Sequence, residues 1–407
     1  MSAVAAFASP RPRTREEILA GLPALAAAIA EGASEREKQH VLPFEQFKLV
    51  RASGLGTLRI GREQGGPGGS IEDVIHAVTT LAAADSNVAH ALRTHFNTCE
   101  LLRLGPPEPH RLRHIRLILE GALFGGAFTE QGTARAGQNT TRLVRVGNGW
   151  RLRGRKYYTT GTAFADYASV FAFDDEERGV NAVIPVTREG VEILDDWDGM
   201  GQNLTASGSM VLNDVEVFED EIAPGERDDL AGRHASALRQ LILVATAAGI
   251  VRNVVSDAVN YVRRHGRPAM HSPAETARED HFVQLVIGEL GAASHAIDVL
   301  VADAARQLDR SAEAILRQAP DADDVVLQGA LTTARTQLVV SRLALAAAER
   351  MFEAGGASAT SRKHNFDRHW RNLRTIFSHN PLQHKARILG DHALNGTKTH
   401  LVEGRVF

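Results

Sequence analysis

The amino-acid sequence predicts an α+β protein in three consecutive parts: an N-terminal helical domain, a middle antiparallel β-domain and a C-terminal four-helix bundle. Three observations carry that prediction. Apolar positions recur at helical spacing through residues 14–122, short β-rich runs broken by Gly, Asn and Asp fill 123–225, and long Ala- and Leu-rich stretches occupy 226–407. At 407 residues the chain exceeds one ordinary core, so more than one packed region is expected.

Residues 1–13, with their Pro and Arg, read as a flexible arm without an apolar segment of signal-peptide length. The next part holds "EEILAGLPALAAAIAEGASERE" (16–37) and "IEDVIHAVTTLAAADSNVAHALRTHFNTCELL" (71–102), both with helical periodicity. Between them, "GLGTLRIG" (54–61) lacks the strand-turn-helix setting of a dinucleotide fingerprint. In the middle part the runs at 142–161, 168–175, 181–186, 191–194 and 208–218 suit a small barrel or sandwich. Helices are expected at 232–264, 275–308, 321–354 and 378–398, as a bundle requires.

A formal charge of −3, with 46 basic against 49 acidic residues, gives nucleic acid or an anionic membrane no electrostatic hold. Small molecules are the expected ligands. The most apolar run, 241–251, is about half of a bilayer crossing, so no membrane association is expected. A single cysteine, Cys99, excludes an intrachain disulfide and fits a cytoplasmic location.

Several residues invite chemistry. His95 and Cys99 stand four apart on one helix face, too few ligands for zinc, and no metal is expected. Tyr158 and Thr160 in "RKYYTTG" share one face of a strand if the alternation holds. Arg263, Arg264 and Arg267 gather at a helix end, where the backbone dipole already favours cations. Gly355 and Gly356 would permit a close backbone approach or cap a helix. His379, in "RTIFSHNP", carries a group that exchanges protons near neutrality.

Together "GGAFTEQG" (125–132), "KYYTTGTAFADYASVFAF" (156–173), "DDWDGMGQNLTASGSMVLNDVEV" (195–217) and "FEAGGASAT" (352–360) resemble the acyl-CoA dehydrogenase superfamily over about residues 15–400. The resemblance implies a flavin between the β-domain and the bundle, in a dimer or tetramer that completes the site. Dehydrogenases of the family need a base for the proton alpha to a thioester carbonyl. Residues 374–390 and 232–250, the two places that would supply it, hold no Asp or Glu. The chain resembles instead the flavin-dependent monooxygenase branch, above all the dibenzothiophene and sulfur-acquisition enzymes.

That branch implies reduced FMN or FAD delivered by a separate flavin reductase, O2, a C4a-hydroperoxyflavin, an organosulfur substrate and a homotetramer. Aromatic hydroxylation, N-oxygenation and acyl-CoA dehydrogenation are the alternatives, and a flavin-sequestering protein is the non-enzymatic one. By resemblance His379, His95 and Thr160 are catalytic, with Thr160 near the flavin N5. Phe128, Thr129, Tyr158, Thr160, Arg263, Arg267, Gly355 and Gly356 bind the cofactor, the arginines at its phosphate; Glu130 is a weaker candidate or a loop acid facing water. His95, Cys99 and Ile376 line the substrate, and Ser358 and Ile376 depart from the arginine and histidine of dibenzothiophene-type relatives.

Overall fold

The computed structural model describes residues 13–135, 137–225 and 229–398, so of the expected arm only Arg13 is included. Seven helices come first: α1 (Arg15–Ala30), α2 (Ala33–Gln39), α3 (Phe44–Ser53), α4 (Ile71–Ala84), α5 (Ser86–Ala91), α6 (Arg93–Leu104) and α7 (Pro109–Leu119). Their starts are written locally. Thr14 and Glu17 form a reciprocal capping box on α1, and Ser70 and Asp73 repeat it on α4.

Eight strands follow: β1 (Phe124–Ala127), β2 (Arg142–Val146), β3 (Gly149–Lys156), β4 (Tyr167–Phe173), β5 (Gly179–Pro185), β6 (Val191–Ile193), β7 (Met210–Val217) and β8 (Ile222–Pro224). They make one sheet in the order β6-β7-β3-β2-β4-β5-β8, with β1 also beside β4. The sheet is mixed, not wholly antiparallel as the sequence suggested. β1 runs parallel along the first half of β4, and β2 meets only its last residue, Phe173, also in parallel. Alternation puts Ala168, Val170 and Ala172 of β4 inward, where they join Leu143, Leu152 and Val215 in the sheet's own core.

The last part contains α8 (Leu230–His265), α9 (His281–Leu316), α10 (Ala322–Ala359), α11 (Asp367–Ile376) and α12 (Leu382–Asn395). Three long helices match the expected positions. The fourth does not: α12 begins only at Leu382, after Pro381, and a separate helix, α11, precedes it. His379 therefore sits in a turn, not in a helix. Gly356 breaks α10 near its end with φ 60 and ψ −164, so it kinks the helix and neither continues nor caps it.

The N-terminal helices and the bundle share one continuous hydrophobic core, separate from that of the sheet. Within it α4 packs closely against α8. At Gly249 a Cβ would lie 2.4 Å from the Thr79 carbonyl oxygen and 2.5 Å from the Ala82 Cβ, closer than real side chains approach. α8 and α9 are each long and apolar enough to cross a bilayer, more than the run 241–251 suggested, because Ala- and Gly-rich flanks extend the apolar window. In α8 that window is 67% buried within the chain; in α9 it is only 22% buried.

Gly249→Ala is expected to force α4 from α8 and cost about 1–3 kcal/mol of stability. Chemical denaturation of the two proteins measures it, and an unchanged midpoint would show that the seam can widen freely.

Candidate active site

The turn between α11 and α12 brings His379 against α6 and α8. Arg93, the first residue of α6, places Nη2 at 3.1 Å from His379 Nε2. A guanidinium only donates, so Nε2 is the unprotonated nitrogen and the ring carries its proton on Nδ1, which donates to Asn380 Oδ1 at 3.2 Å. Asn380 in turn donates to Gln240 of α8. The residue is exposed, with its imidazole held between Arg93 and Asn380. Desolvation, then the charges of Arg93 and His90, hold its pKa well below the ordinary value.

His90 of α5 lies beside this pair. Its Nδ1 bonds Gln202 Oε1 at 2.9 Å, while Nε2 is buried without a partner. Burial, with help from Arg93, pushes its pKa down to about 3. Gln202 ties three parts of the molecule together: its backbone N–H donates to Asn372 Oδ1 of α11 at 2.5 Å, its Nε2 to Ser86 Oγ at 2.8 Å, and its carbonyl accepts from Thr205 Oγ1 at 2.7 Å. From Thr205 a run of hydroxyls continues to Ser207 Oγ at 2.6 Å and on to Thr160 Oγ1 at 2.7 Å. Thr160 is thus joined to the His90 end of the site.

"RKYYTTG" is not one strand. β3 ends at Lys156, and Tyr158 has φ 61, so the alternation that placed Tyr158 and Thr160 on one face is lost. A left-handed tyrosine is strained backbone of the kind that persists at binding sites. Its ring is 51% exposed and meets Tyr157 and Trp197 edge-on. Thr129 pairs with Tyr157 through its backbone and donates from Oγ1 to the Tyr157 carbonyl at 2.9 Å, which sets the 42% exposed Phe128 at the adjoining position. Glu130 does not face water. It accepts from the backbone and hydroxyls of Thr140 and Thr141 and from Lys156 Nζ at 2.9 Å; these bonds overcome the opposing desolvation and hold its pKa down to about 2.

Three expected site residues are placed elsewhere. His95 is 1% exposed, with Nε2 donating to the Gly56 carbonyl at 2.7 Å and Nδ1 accepting the Phe124 N–H at 3.1 Å. Both nitrogens bond backbone, so the ring ties the first helices to β1. Cys99 is fully buried in a small apolar cluster with Ile60 and Ile118, and burial raises its thiol pKa. Ile376 is 1% exposed in the main core, where it anchors α11.

The other cofactor candidates gather at the far end of the bundle. Arg263, Arg264 and Arg267 are exposed at the C-terminus of α8, and Gly355 approaches the ring of Tyr261 beside them. Twenty-four positions separate Arg239, next to the Asn380 contact, from Arg263; at 1.5 Å per residue that is about 36 Å. A groove of about 860 Å³ runs along Glu130, Thr140, Arg155, Tyr157, Asp196 and Asp198. It contains neither His379 nor Thr160, and its two aspartates oppose its cations.

Residue patterns had not pointed to His90, Arg93, Gln202, Ser207, Arg239 or Asn372. One signal was present for the arginines: neither Arg93 nor Arg239 has an acid three or four positions away on its helix.

Residues 126–215 match the acyl-CoA dehydrogenase middle domain and 241–384 its C-terminal domain. The chain is 30% identical over 378 residues to the probable FMNH2-dependent monooxygenase SfnC of Pseudomonas putida, covering 91% of this chain and 93% of that one. It is 30% identical over 380 residues to the dibenzothiophene monooxygenase of Mycolicibacterium goodii, covering 89% of each. Among solved structures it is similar to the methanesulfinate monooxygenase MsuC of Pseudomonas fluorescens, with a TM-score of 0.84 and 28% identity over 93% of this chain and 97% of that one. The chain belongs to the acyl-CoA dehydrogenase family, in its branch of flavin-dependent monooxygenases.

Proposed function

We propose that this chain is the oxygenase of a two-component system in the cytosol, taking reduced FMN from a separate flavin reductase and using O2 to oxidise a small organosulfur compound. The observation that carries the reading is the neutral imidazole of His379, fixed by Arg93 at the site where a dehydrogenase would present a carboxylate base. Among the described residues no Asp or Glu is bonded to His379, His90 or Arg93. An FMNH2-dependent relative favours FMN over FAD, and relatives acting on sulfur compounds favour that substrate class.

The residues present fit a flavin. Buried polar atoms without partners, His90 Nε2 and Arg93 Nε, are the kind that a bound group satisfies. Phe128 and Tyr158 supply exposed aromatic surface beside the strained turn. When bound, reduced FMN supplies the electrons that activate O2. The protein's part is to orient, exclude water and manage protons. His379 can take up a proton at Nε2, the bare ring nitrogen facing Arg93, and the Thr160–Ser207–Thr205 hydroxyls hold a hydrogen-bonded path from the β-domain to Gln202.

One chain does not complete this cofactor site. The arginines expected at the flavin phosphate lie about 36 Å along α8 from the His379 end, far beyond a single flavin mononucleotide. We therefore assign Arg263 and Arg267 to the site of a second copy. The apolar face of α9, with Phe282 80% and both Leu285 and Val299 52% exposed, gives copies a surface to pack on in a homotetramer.

His379→Ala is expected to lower product formation about 10²-fold or more while FMN affinity stays within twofold and reduced flavin is consumed as hydrogen peroxide. Product and peroxide yields per flavin oxidised decide this; wild-type coupling in the variant removes His379 from the chemistry.

Because the folded pKa of His379 is depressed, its neutral form persists as pH falls through 6.5 and is lost only on passing the lower value. The acid limb of kcat is therefore expected below pH 6.5, and Arg93→Gln should move it upward. A limb at 6.5 in both proteins would contradict the Arg93 contact.

Leu285→Arg combined with Val299→Arg is expected to yield smaller assemblies in sedimentation and at least about tenfold weaker FMN binding, or 1.4 kcal/mol. Tetramers that bind FMN normally would place the shared site on another face.

A further inference from the structure

Arg93 and Arg239 depart from the way this protein pairs several of its enclosed arginines with acids. Arg36 pairs with Asp85, Arg188 with Glu221, Arg368 with Asp257 and Arg371 with Glu37. Arg93 has only the His379 ring, its Nε is buried without a partner, and Arg239 has no hydrogen bond or ion pair among the described residues. Each lowers the pKa of its surroundings instead of being neutralised: Arg93 is pushed down to about 10 by desolvation and by Arg239, and Arg239 is lowered by desolvation. Two like charges that influence each other, each part-exposed and neither paired with an acid, favour a negative group between them. His90 adds a third polar group with a free buried nitrogen on the same side of Arg93.

We propose that Arg93 and Arg239 form the binding site for an oxyanionic head on the substrate, so that this chain takes a small sulfinate and not a neutral sulfur heterocycle. The assignment rests on the organosulfur reading above and deepens it. A planar guanidinium meets a two-oxygen anion with paired hydrogen bonds, which is why arginine serves where such groups are recognised. The reaction balances as sulfinate, O2 and FMNH2 giving sulfonate, FMN and water. The sulfur lone pair forms the new S–O bond, sulfur loses two electrons, flavin supplies two, and the second oxygen leaves as water. As Arg93 turns to the anion it releases His379 Nε2, so substrate binding frees the nitrogen that handles the proton.

The test uses the full-length protein loaded with FMN, with methanesulfinate as probe, dimethyl sulfone as its neutral counterpart, and sodium chloride at equal ionic strength as control. Calorimetry is expected to show sulfinate binding at least tenfold tighter than sulfone. Arg239→Leu and, separately, Arg93→Gln should each lose tenfold or more of that affinity. Arg239→Leu should also melt no lower than the wild type, because it removes an unpaired charge; an arginine with a merely structural role would lower the melting temperature. Should either variant fail to fold, the wild-type comparison stands alone: methanesulfinate must raise the melting temperature above the chloride control, and sulfone must not.

Equal affinity for sulfone and sulfinate, or unchanged sulfinate binding in folded Arg239→Leu, overturns the proposal. So does a variant that loses FMN affinity but keeps sulfinate, since the pair would then serve the flavin. Oxidation of dibenzothiophene without any sulfinate binding sinks this inference and leaves the oxygenase reading standing. Sulfinate binding with no sulfonate formed from reduced FMN and O2 does the reverse.

Discussion

The contact between Arg93 and His379 sets the chemistry of the junction around it. Because arginine has no lone pair to offer, the bond fixes which imidazole nitrogen is bare and which carries hydrogen. The hydrogen then goes to Asn380, and Asn380 reaches Gln240, so one bond at the start of α6 holds the α11–α12 turn in register with α8. An acid in place of His379 would have neutralised Arg93 and removed the lesser of the two causes that keep His90 uncharged, burial being the larger.

α8 acts as the ruler of the molecule. Its 36 residues carry Arg239 and Gln240 near one end and Arg263 at the other, and the rigid spacing of a helix separates two groups of residues that a single small cofactor would have to touch. In the proposed assembly one copy's far end meets another's near end, which reconciles the two. The exposed apolar window of α9 is the structural counterpart of that arrangement, whereas the similar window of α8 is used up inside the chain, where Gly249 lets α4 come close.

Much of this was legible in the sequence, for reasons that can be traced to particular residues. Helical and alternating periodicity located the sheet and the three long helices because burial there is regular, as in Ala168, Val170 and Ala172 of β4. His379 was found through a missing carboxylate, a signal that needs only chemistry and order along the chain. Tyr158 and Thr160 were misjudged in their geometry because a left-handed tyrosine breaks the alternation, and nothing in the residue types announces it. His95 looked reactive because a sequence does not show that the Gly56 carbonyl and the Phe124 N–H occupy both of its nitrogens. His90, Arg93, Gln202 and Arg239 were passed over because they are brought together from three regions by tertiary packing alone.

The bare cations are not a general habit of this fold. A short way along α6, Glu100 is fully buried and accepts from Arg59 and from His234, whose other nitrogen meets Ser311 Oγ at 2.8 Å. Within the sheet domain Lys156 is likewise buried and has both Glu130 and Asn139. At these positions the chain places an acid against an enclosed base, as buried charge demands. Leaving Arg93 and Arg239 without such a partner is a local departure from that practice. Local departures of this kind are where binding sites are found, because the free energy withheld from folding becomes available to the ligand that supplies the missing charge.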